Sequence, residues 1–271
     1  MPVFTSSAGR DWTASTPRRR AVTWFGWFLL AALTVWCWQI MTRDTIWAFV
    51  ADAPRQAADI GSRMFPPRFS YIEELLWPLW DTLNIATLGT ILGVLIALPI
   101  AFLAARNTTP SAAILRPIAL FIIVASRSIN SLIWALLLVS IVGPGLFAGI
   151  LAIALRSIGF VGKLLYEAIE ETDVKQIEAI EATGATALQR LDYGYWPQIA
   201  PAFWGISVFR WDINIRESAV LGLVGAGGLG LKLQASLNIL AWPQVTMILL
   251  VIFATVILSE WVSAAVRKAI I

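Results

Sequence analysis

Residues 178–197 read EAIEATGATALQRLDYGYWP and form a polar loop between two long apolar parts of the chain. Asp173, just before this loop, is of the type that caps the start of a helix, and apolar residues then recur at helical spacing. Gly184 is suited to the left-handed conformation that ends a helix, and Pro197 is expected to end a second, shorter one. The loop is therefore predicted to be a helix–glycine–helix element with one apolar face, lying at a membrane surface. An interfacial helix hairpin without a partner is the alternative interpretation.

The composition places the chain in a membrane. Of its 271 residues, 58% are hydrophobic and 14% are charged, and the mean hydropathy is +0.75. Soluble domains are nearer about 45–50% apolar and about 25% charged. A formal net charge of +3 does not indicate nucleic-acid binding. The sequence contains no His, which excludes His-based metal sites and Ser–His or Cys–His catalysis.

Several apolar runs are close to the roughly 20 residues that a helix needs to cross a bilayer. The clear ones are residues 22–41, 83–105, 117–142 and 245–266. A fifth run, residues 146–165, is interrupted by Arg156 and Lys163. A sixth, residues 201–221, contains two acidic and two basic residues, so hydropathy alone argues against it.

Charge distribution supports the sixth crossing. Arg18, Arg19 and Arg20 precede the first apolar run, which places the N-terminus in the cytoplasm by the positive-inside rule. Six crossings also place Arg267 and Lys268 in the cytoplasm, whereas five would place them outside. The predicted organisation is a cytoplasmic tail (1–20), a first transmembrane helix (21–42), an external amphipathic segment (43–76) and a membrane domain (77–271) whose coupling loop is 171–200.

The polar loop resembles the EAA loop of binding-protein-dependent ATP-binding-cassette (ABC) transporter permeases. Glu178, Ala179, Gly184 and Pro197 fall at the spacing of that motif, although Ile180 replaces its usual third residue, Ala. In that family the loop forms a coupling helix that docks on a separate ATPase subunit. The resemblance implies this role for the four residues.

Further segments resemble phosphonate-type permeases of the same family. They are FPPRFS at 65–70, RSIN at 127–130, residues 149–155, GKLLYEA at 162–168 and NIRESAVLGLVGAGGLG at 214–230. The resemblance implies an all-α, polytopic type I importer permease of about six transmembrane helices in the bacterial inner membrane. It also implies a second permease copy, two ATPase subunits, a soluble binding protein, and phosphonate, phosphite or hypophosphite as substrate.

The sequence contains no Gly-x-x-x-x-Gly-Lys-Ser/Thr pattern. We therefore expect the chain itself to be no enzyme and to bind no cofactor, with ATP and Mg²⁺ used by the partner ATPase.

Polar residues inside the predicted spans are candidates for the substrate pathway, because charges in a bilayer are costly unless they are paired or face a polar route. The candidates are Arg127, Asn130, Arg210, Asn214 and Arg216. Asp212 and Arg216 are spaced i,i+4 and can pair. Guanidinium groups suit a phosphorus oxyanion, but the same residues could equally lock helices together or hold a dimer.

The turn after the fifth predicted crossing contains Gly225, Gly227, Gly228 and Gly230. Its predicted external position argues against a nucleotide phosphate cradle and favours tight packing near an external gate.

Two other classes of function stay open at this level. A secondary transporter or channel for a small anion would often show internal repeats, and we find no clear one. A membrane-embedded enzyme would need a nucleophile–base or metal constellation, for which a chain without His offers few options.

Overall fold

The computed structural model describes residues 3–6, 9–12 and 17–270, and most of this part of the chain is helical. It divides into two compact units, Met1–Asp59 and Ile60–Ile271. Of the predicted N-terminal tail, residues 1, 2, 7, 8 and 13–16 lie outside the described residues.

The N-terminal unit begins with a two-stranded antiparallel hairpin, β1 (Val3–Ser6) and β2 (Gly9–Trp12). Helix α1 (Pro17–Thr42) follows, so the three arginines before the first apolar run lie in its first turn. The apolar window of α1 has no residue buried within the chain. Such a helix is apolar on every side, as expected of one surrounded by lipid.

Helix α2 (Trp47–Met64) has no buried residue. Asp52, Arg55 and Asp59 follow one another at helical spacing and share one face, while apolar residues occupy the other. The helix ends just before Pro66, whose ring cannot continue it. The segment is thus an amphipathic helix.

The second unit contains the remaining helices, preceded by a 3₁₀ turn at Phe69–Tyr71. In chain order they are α3 (Ile72–Ala104), α4 (Leu115–Ser128), α5 (Ser131–Val142), α6 (Leu146–Glu170), α7 (Val174–Glu181), α8 (Ala187–Gln189), α9 (Trp196–Leu221), α10 (Gly228–Asn238) and α11 (Trp242–Ile270). The start of α3 precedes the predicted start of the membrane domain at residue 77. Helix α10 has no counterpart among the elements predicted from the sequence.

The expected number of spans is confirmed. Among the described residues, α1, α6, α11 and the helix from Phe69 to Ala104 are each long and apolar enough to cross a membrane. Two bent pairs, α4 with α5 and the α8–α9 segment with α10, bring the number to six when each pair is counted as one span. The protein is therefore a multi-pass helical membrane protein.

Small residues allow α3 and α6 to approach closely in the centre of the second unit. A Cβ on Gly93 would lie 2.6 Å from Ser157 Cβ, and one on Gly89 would lie 2.7 Å from Ile153 Cγ2. Gly89 and Gly93 are spaced i,i+4, the small-xxx-small pattern that brings membrane helices together.

The prediction of one uninterrupted crossing over residues 117–142 is wrong. The chain bends by 92° between α4 and α5, and the backbone of Ile129 is extended there. Asn130 starts α5 as its N-cap, since its Oδ1 accepts a hydrogen bond from Leu132 N at 3.0 Å. The apolar composition on both sides of Asn130 conceals this break from a hydropathy scan.

The prediction that Pro197 ends a helix is also wrong. Residues Arg190–Tyr195 form a π-helical turn that joins α8 to α9, and Pro197 lies in the first turn of α9. Trp196 N donates to Leu191 O, five residues back. A backbone N–H in the first turn of a helix has no partner within that helix, so proline is tolerated there. The π-helical turn relieves crowding between the proline ring and the preceding backbone. The helical path therefore continues through Pro197.

Loops of the second unit collect at opposite ends, as alternating crossings require. At one end, the Tyr195 hydroxyl donates to Asn107 O at 3.2 Å. At the other end, Gly145 N donates to Gly225 O at 3.0 Å. The polar loop around α7 and the glycine turn after α9 therefore lie at opposite ends of the bundle.

Candidate functional site

A polar cluster lies where α3, α6 and α9 cross, and Arg210 of α9 is its centre. Arg210 is 1% exposed, its Nε donates to Ser157 Oγ at 3.0 Å, and its guanidinium lies 5.2 Å from the centroid of the Phe160 ring. One turn further, Asn214 Nδ2 donates to Ser157 Oγ at 3.0 Å and to Thr90 Oγ1 at 2.7 Å. Thr90, Ser157, Arg210 and Asn214 are called the buried cluster below.

Glu217 connects the buried cluster to a second arginine. Its Oε2 accepts from Arg210 Nη2 at 3.4 Å, and its Oε1 lies 3.4 Å from Arg156 Nε. Arg156 Nη1 also donates to Ile129 O at 3.0 Å, which satisfies a carbonyl at the break between α4 and α5. Two guanidinium groups thus share one carboxylate, so this group of three side chains has a net charge of +1.

The predicted pair of Asp212 and Arg216 forms on another face of α9. Ser259 of α11 donates to Asp212 Oδ1 at 2.7 Å, so the two carboxylate oxygens of Asp212 have separate partners. The Asp212 side chain is 5% exposed, whereas that of Arg216 is 48% exposed. Asp212 therefore fixes α9 to α11 and holds one side of Arg216.

A cavity of about 260 Å³ lies at the bend between α4 and α5, and Asn130, Arg216 and Glu217 contribute to its lining. Arg127 is exposed in the last turn of α4, and its Cγ packs where Gly159 lacks a side chain. The predicted pathway residues therefore divide: Arg210 and Asn214 lie in the buried cluster, Asn130 and Arg216 at the cavity. Arg127 is outside the set that lines this cavity.

Sequence reasoning missed two hydroxyl residues of the buried cluster, Thr90 and Ser157, because an isolated hydroxyl in an apolar helix is usually bonded to its own backbone. Glu217 could have been predicted as a site residue from the sequence, since helical spacing places it on the face of α9 that carries Arg210 and Asn214. It is the residue that joins the buried cluster to the cavity.

The polar loop presents the four predicted coupling residues outward. Glu178, Ala179, Gly184 and Pro197 are all exposed. Ile177 on the opposite side of α7 is 6% exposed and packs in the main apolar core. Ile180 also lies against Gly194, so α7 is seated on the bundle by its apolar side while Glu178 and Ala179 are exposed on its outer side.

Hydrogen bonds at both ends fix the position of α7. Asp173 caps its start, accepting from Lys175 N at 3.0 Å, and its own N–H donates to Gln198 Oε1 at 2.9 Å. Arg190 Nη1 and Glu181 Oε1 are 2.6 Å apart, which ties the end of α7 to the π-helical turn. Movement of α7 would therefore be transmitted to the base of α9.

The glycine turn is closely packed at the other end of the bundle. Gly225 and Gly227 have φ of 89°, and Gly228 has φ of 71°. A Cβ on Gly228 would lie 2.5 Å from Thr82 Oγ1, and one on Gly230 would lie 2.2 Å from a backbone oxygen of α9. Side chains at these positions would push the start of α10 away from α3 and α9.

Comparisons with known proteins identify the family. Residues 80–271 match the family described as binding-protein-dependent transport system inner membrane component. The phosphite transport system permease protein PtxC of Stutzerimonas stutzeri is 40% identical over 244 residues, which cover 90% of this chain and 86% of that protein. The phosphate-import permease protein PhnE of Mycolicibacterium smegmatis is 40% identical over 209 residues, which cover 77% of this chain and 39% of that protein.

A solved structure shows the same fold. A chain of the MetNI methionine ABC transporter, in inward-facing conformations, superposes with a TM-score of 0.65 at 24% identity and covers 75% of this chain and 99% of that chain. The family match over residues 80–271, from within α3 to the end of the chain, agrees with this fold. The chain belongs to the family of binding-protein-dependent transport system inner membrane components.

Proposed function

We propose that the chain is the permease subunit of an ATP-driven importer for phosphorus oxyanions of the phosphonate, phosphite or hypophosphite class. The observation that carries the proposal is the excess of guanidinium groups around the cavity and the buried cluster. Arg156, Arg210 and Arg216 face two carboxylates there, those of Asp212 and Glu217. Guanidinium groups bind tetrahedral oxyanions through paired, charge-assisted hydrogen bonds. The names of the phosphite and phosphate permeases among the relatives support the same substrate class.

In this proposal the transport unit contains a second copy of the chain, two ATPase subunits and a soluble substrate-binding protein. The ATPase subunits use ATP and Mg²⁺, and Glu178, Ala179, Gly184 and Pro197 belong to the surface on which they dock. The complex lies in the bacterial cytoplasmic membrane with both termini in the cytoplasm. Two observations support this role: all four residues are exposed, and α7, which carries Glu178 and Ala179, is hydrogen-bonded to α9.

Arg127, Asn130, Arg210, Asn214 and Arg216 line or support the route of the anion in this proposal. The turn with Gly225, Gly227, Gly228 and Gly230 acts as tightly packed backbone near the external gate. The cavity between Asn130 and Arg216 and the positive φ values in the turn support these assignments.

The test is reconstitution of the complete complex in proteoliposomes, followed by measurement of ATP hydrolysis with the binding protein and one oxyanion at a time. We expect phosphite, a phosphonate or hypophosphite to stimulate ATP hydrolysis and to enter the vesicles, and sulfate to do neither. Stimulation by sulfate as strong as by any phosphorus oxyanion would contradict the proposal.

A further inference from the structure

The two carboxylates of α9, buried Asp212 and half-buried Glu217, differ in how completely they are held. Asp212 is 5% exposed and has a close partner on each oxygen, Arg216 and Ser259. Glu217 is 20% exposed, lines the cavity, and contacts each of its arginines at 3.4 Å, the long limit of a hydrogen bond. Asp212 is a structural counter-ion, whereas Glu217 is weakly held beside open space.

The groups around Glu217 also have unused hydrogen-bonding capacity. Arg156 Nε is buried, and among the described residues it has no hydrogen-bond partner. Its contact with Glu217 is an ion pair without hydrogen-bond geometry. Because a buried charged donor without an acceptor is costly, a ligand with several acceptor oxygens would bind Arg156 better than Glu217 does.

We propose that Glu217 is an exchangeable internal anion: it occupies the two guanidinium groups of Arg156 and Arg210 when no substrate is present, and the transported oxyanion displaces it. This inference rests on the proposed function and adds to it the residue that regulates occupancy of the site.

Charge and volume are consistent with such an exchange. With Glu217 in place the three side chains have a net charge of +1, and with the carboxylate moved away Arg156 and Arg210 present a charge of +2 to an oxyanion. The cavity of about 260 Å³ has the volume of roughly eight to nine water molecules at ~30 Å³ each, which is ample for a small tetrahedral anion. Glu217 and Arg216 line it, whereas Arg156 and Arg210 lie behind Glu217, so the anion reaches them only when the carboxylate moves away. Removal of the substrate lets the carboxylate return, so the arginines never remain unpaired in the membrane.

The arrangement also explains why a permease with two central arginines would not retain its substrate. A fixed pair of guanidinium groups would bind an oxyanion tightly and slow its release. A carboxylate on the same helix competes with the anion at a high effective concentration, which lowers the affinity to a level compatible with transport.

The test compares anion binding to the complete complex in nanodiscs, by equilibrium dialysis with labelled phosphite and inorganic phosphate. Glu217→Gln removes the competing charge and is expected to tighten binding about tenfold to hundredfold, since hydrogen bonds to charged groups contribute about 1.5–3 kcal/mol. Glu167→Gln is the matched control, because Glu167 is paired with Lys163 on α6 and lies away from the cavity. The control is expected to bind as the wild type does.

The double variant Arg156→Gln with Glu217→Gln is expected to lose the increase in anion affinity that Glu217→Gln produces alone. If glutamine at 217 prevents assembly, Glu217→Asp is the second test: the contacts of Glu217 with Arg156 and Arg210 are already 3.4 Å long, so a carboxylate one methylene shorter holds the arginines less well, and anion binding should again tighten. Equal anion affinity in the wild type and in the assembled variant at 217 would overturn the inference, as would an equal gain in the Glu167→Gln control.

The same preparations separate this inference from the proposed function. If phosphite-loaded binding protein stimulates the wild-type complex while the variants at 217 bind no more tightly, only the role of Glu217 fails. If no phosphorus oxyanion stimulates ATP hydrolysis by the wild-type complex, the proposed function is wrong. The inference that a phosphorus oxyanion displaces Glu217 is then wrong as well.

Discussion

Replacement of Ser157 by alanine tests whether the buried cluster stabilises the bundle. The Ser157 hydroxyl accepts hydrogen bonds from Arg210 Nε and Asn214 Nδ2, both at 3.0 Å, and the residue is fully buried. Alanine fits the same space, so the change removes an acceptor without adding volume. Arg210 Nε would then be a buried, charged donor without an acceptor.

The expected loss in the free energy of unfolding follows from these two bonds. A hydrogen bond to a charged group contributes about 1.5–3 kcal/mol. A neutral bond between membrane helices contributes about 0.6 kcal/mol, and Asn214 retains its bond to Thr90. The total is about 2–4 kcal/mol, which is a large fraction of the stability of an ordinary domain.

The assay is unfolding of the purified chain in mixed micelles with increasing sodium dodecyl sulfate, monitored by Trp fluorescence. Ser140→Ala is the matched control, because Ser140 is exposed on α5 and bonds only to Leu136 O of its own helix among the described contacts. We expect the control to stay within about 0.5 kcal/mol of the wild type. A loss in Ser157→Ala no larger than in this control would refute a stabilising role for the buried cluster.

Three further variants test the loop, the bend and the turn, with Gly205→Ala as a common control because a Cβ there meets nothing within 4 Å. Gly184→Val forces a β-branched residue to a φ of 82° at a cost of about 1–2 kcal/mol, and should uncouple ATP hydrolysis from uptake in proteoliposomes; undiminished ATP-driven uptake would count against a docking role. Arg127→Gln should reduce uptake several-fold while leaving the assembled complex intact on size-exclusion chromatography, and normal uptake would exclude Arg127 from the pathway. Gly230→Ala places a Cβ 2.2 Å from Ala219 O and should abolish assembly, whereas recovery of folded complex at the control level would show that α10 can move.

The number of spans could be predicted because two independent signals agree. Hydropathy identifies the apolar helices, and the charged residues of the loops require a sixth crossing where α9 lies. The pairing of Asp212 with Arg216 also follows from sequence, since both lie on one helix at i,i+4 spacing. Both predictions depend only on the spacing of residues along one helix, on local hydrophobicity and on the charges of the loops, which can be determined from the sequence alone.

The break before Asn130 and the continuous helical path through Pro197 could not be predicted in the same way. The chain breaks before Asn130 where Arg156 of α6 accommodates the freed carbonyl of Ile129. It continues through Pro197 because the preceding turn is π-helical. Arg156 is 27 residues away from Ile129 in the chain, so a scan along the sequence predicts one straight helix there. The turn before Pro197 is adjacent in sequence, but the usual helix-ending tendency of proline does not indicate that this turn is π-helical, so the scan predicts a helix end.

Charged residues in a membrane helix can fix helices together or form a route for a substrate, and Arg210 has contacts of both kinds. Its Nε is bonded to Ser157 within the buried cluster, while its Nη2 faces Glu217, which lines the cavity. The first contact keeps the guanidinium in one place, so exchange at the second changes only the anion. One nitrogen of such a guanidinium group, Nε, holds the side chain in place, and another, Nη2, is available to an anion. The group can therefore bind an oxyanion without reorganising the helix that carries it. Fixing the bundle and binding the anion are therefore compatible roles for α9, and the variants at Ser157 and Glu217 measure each of them separately.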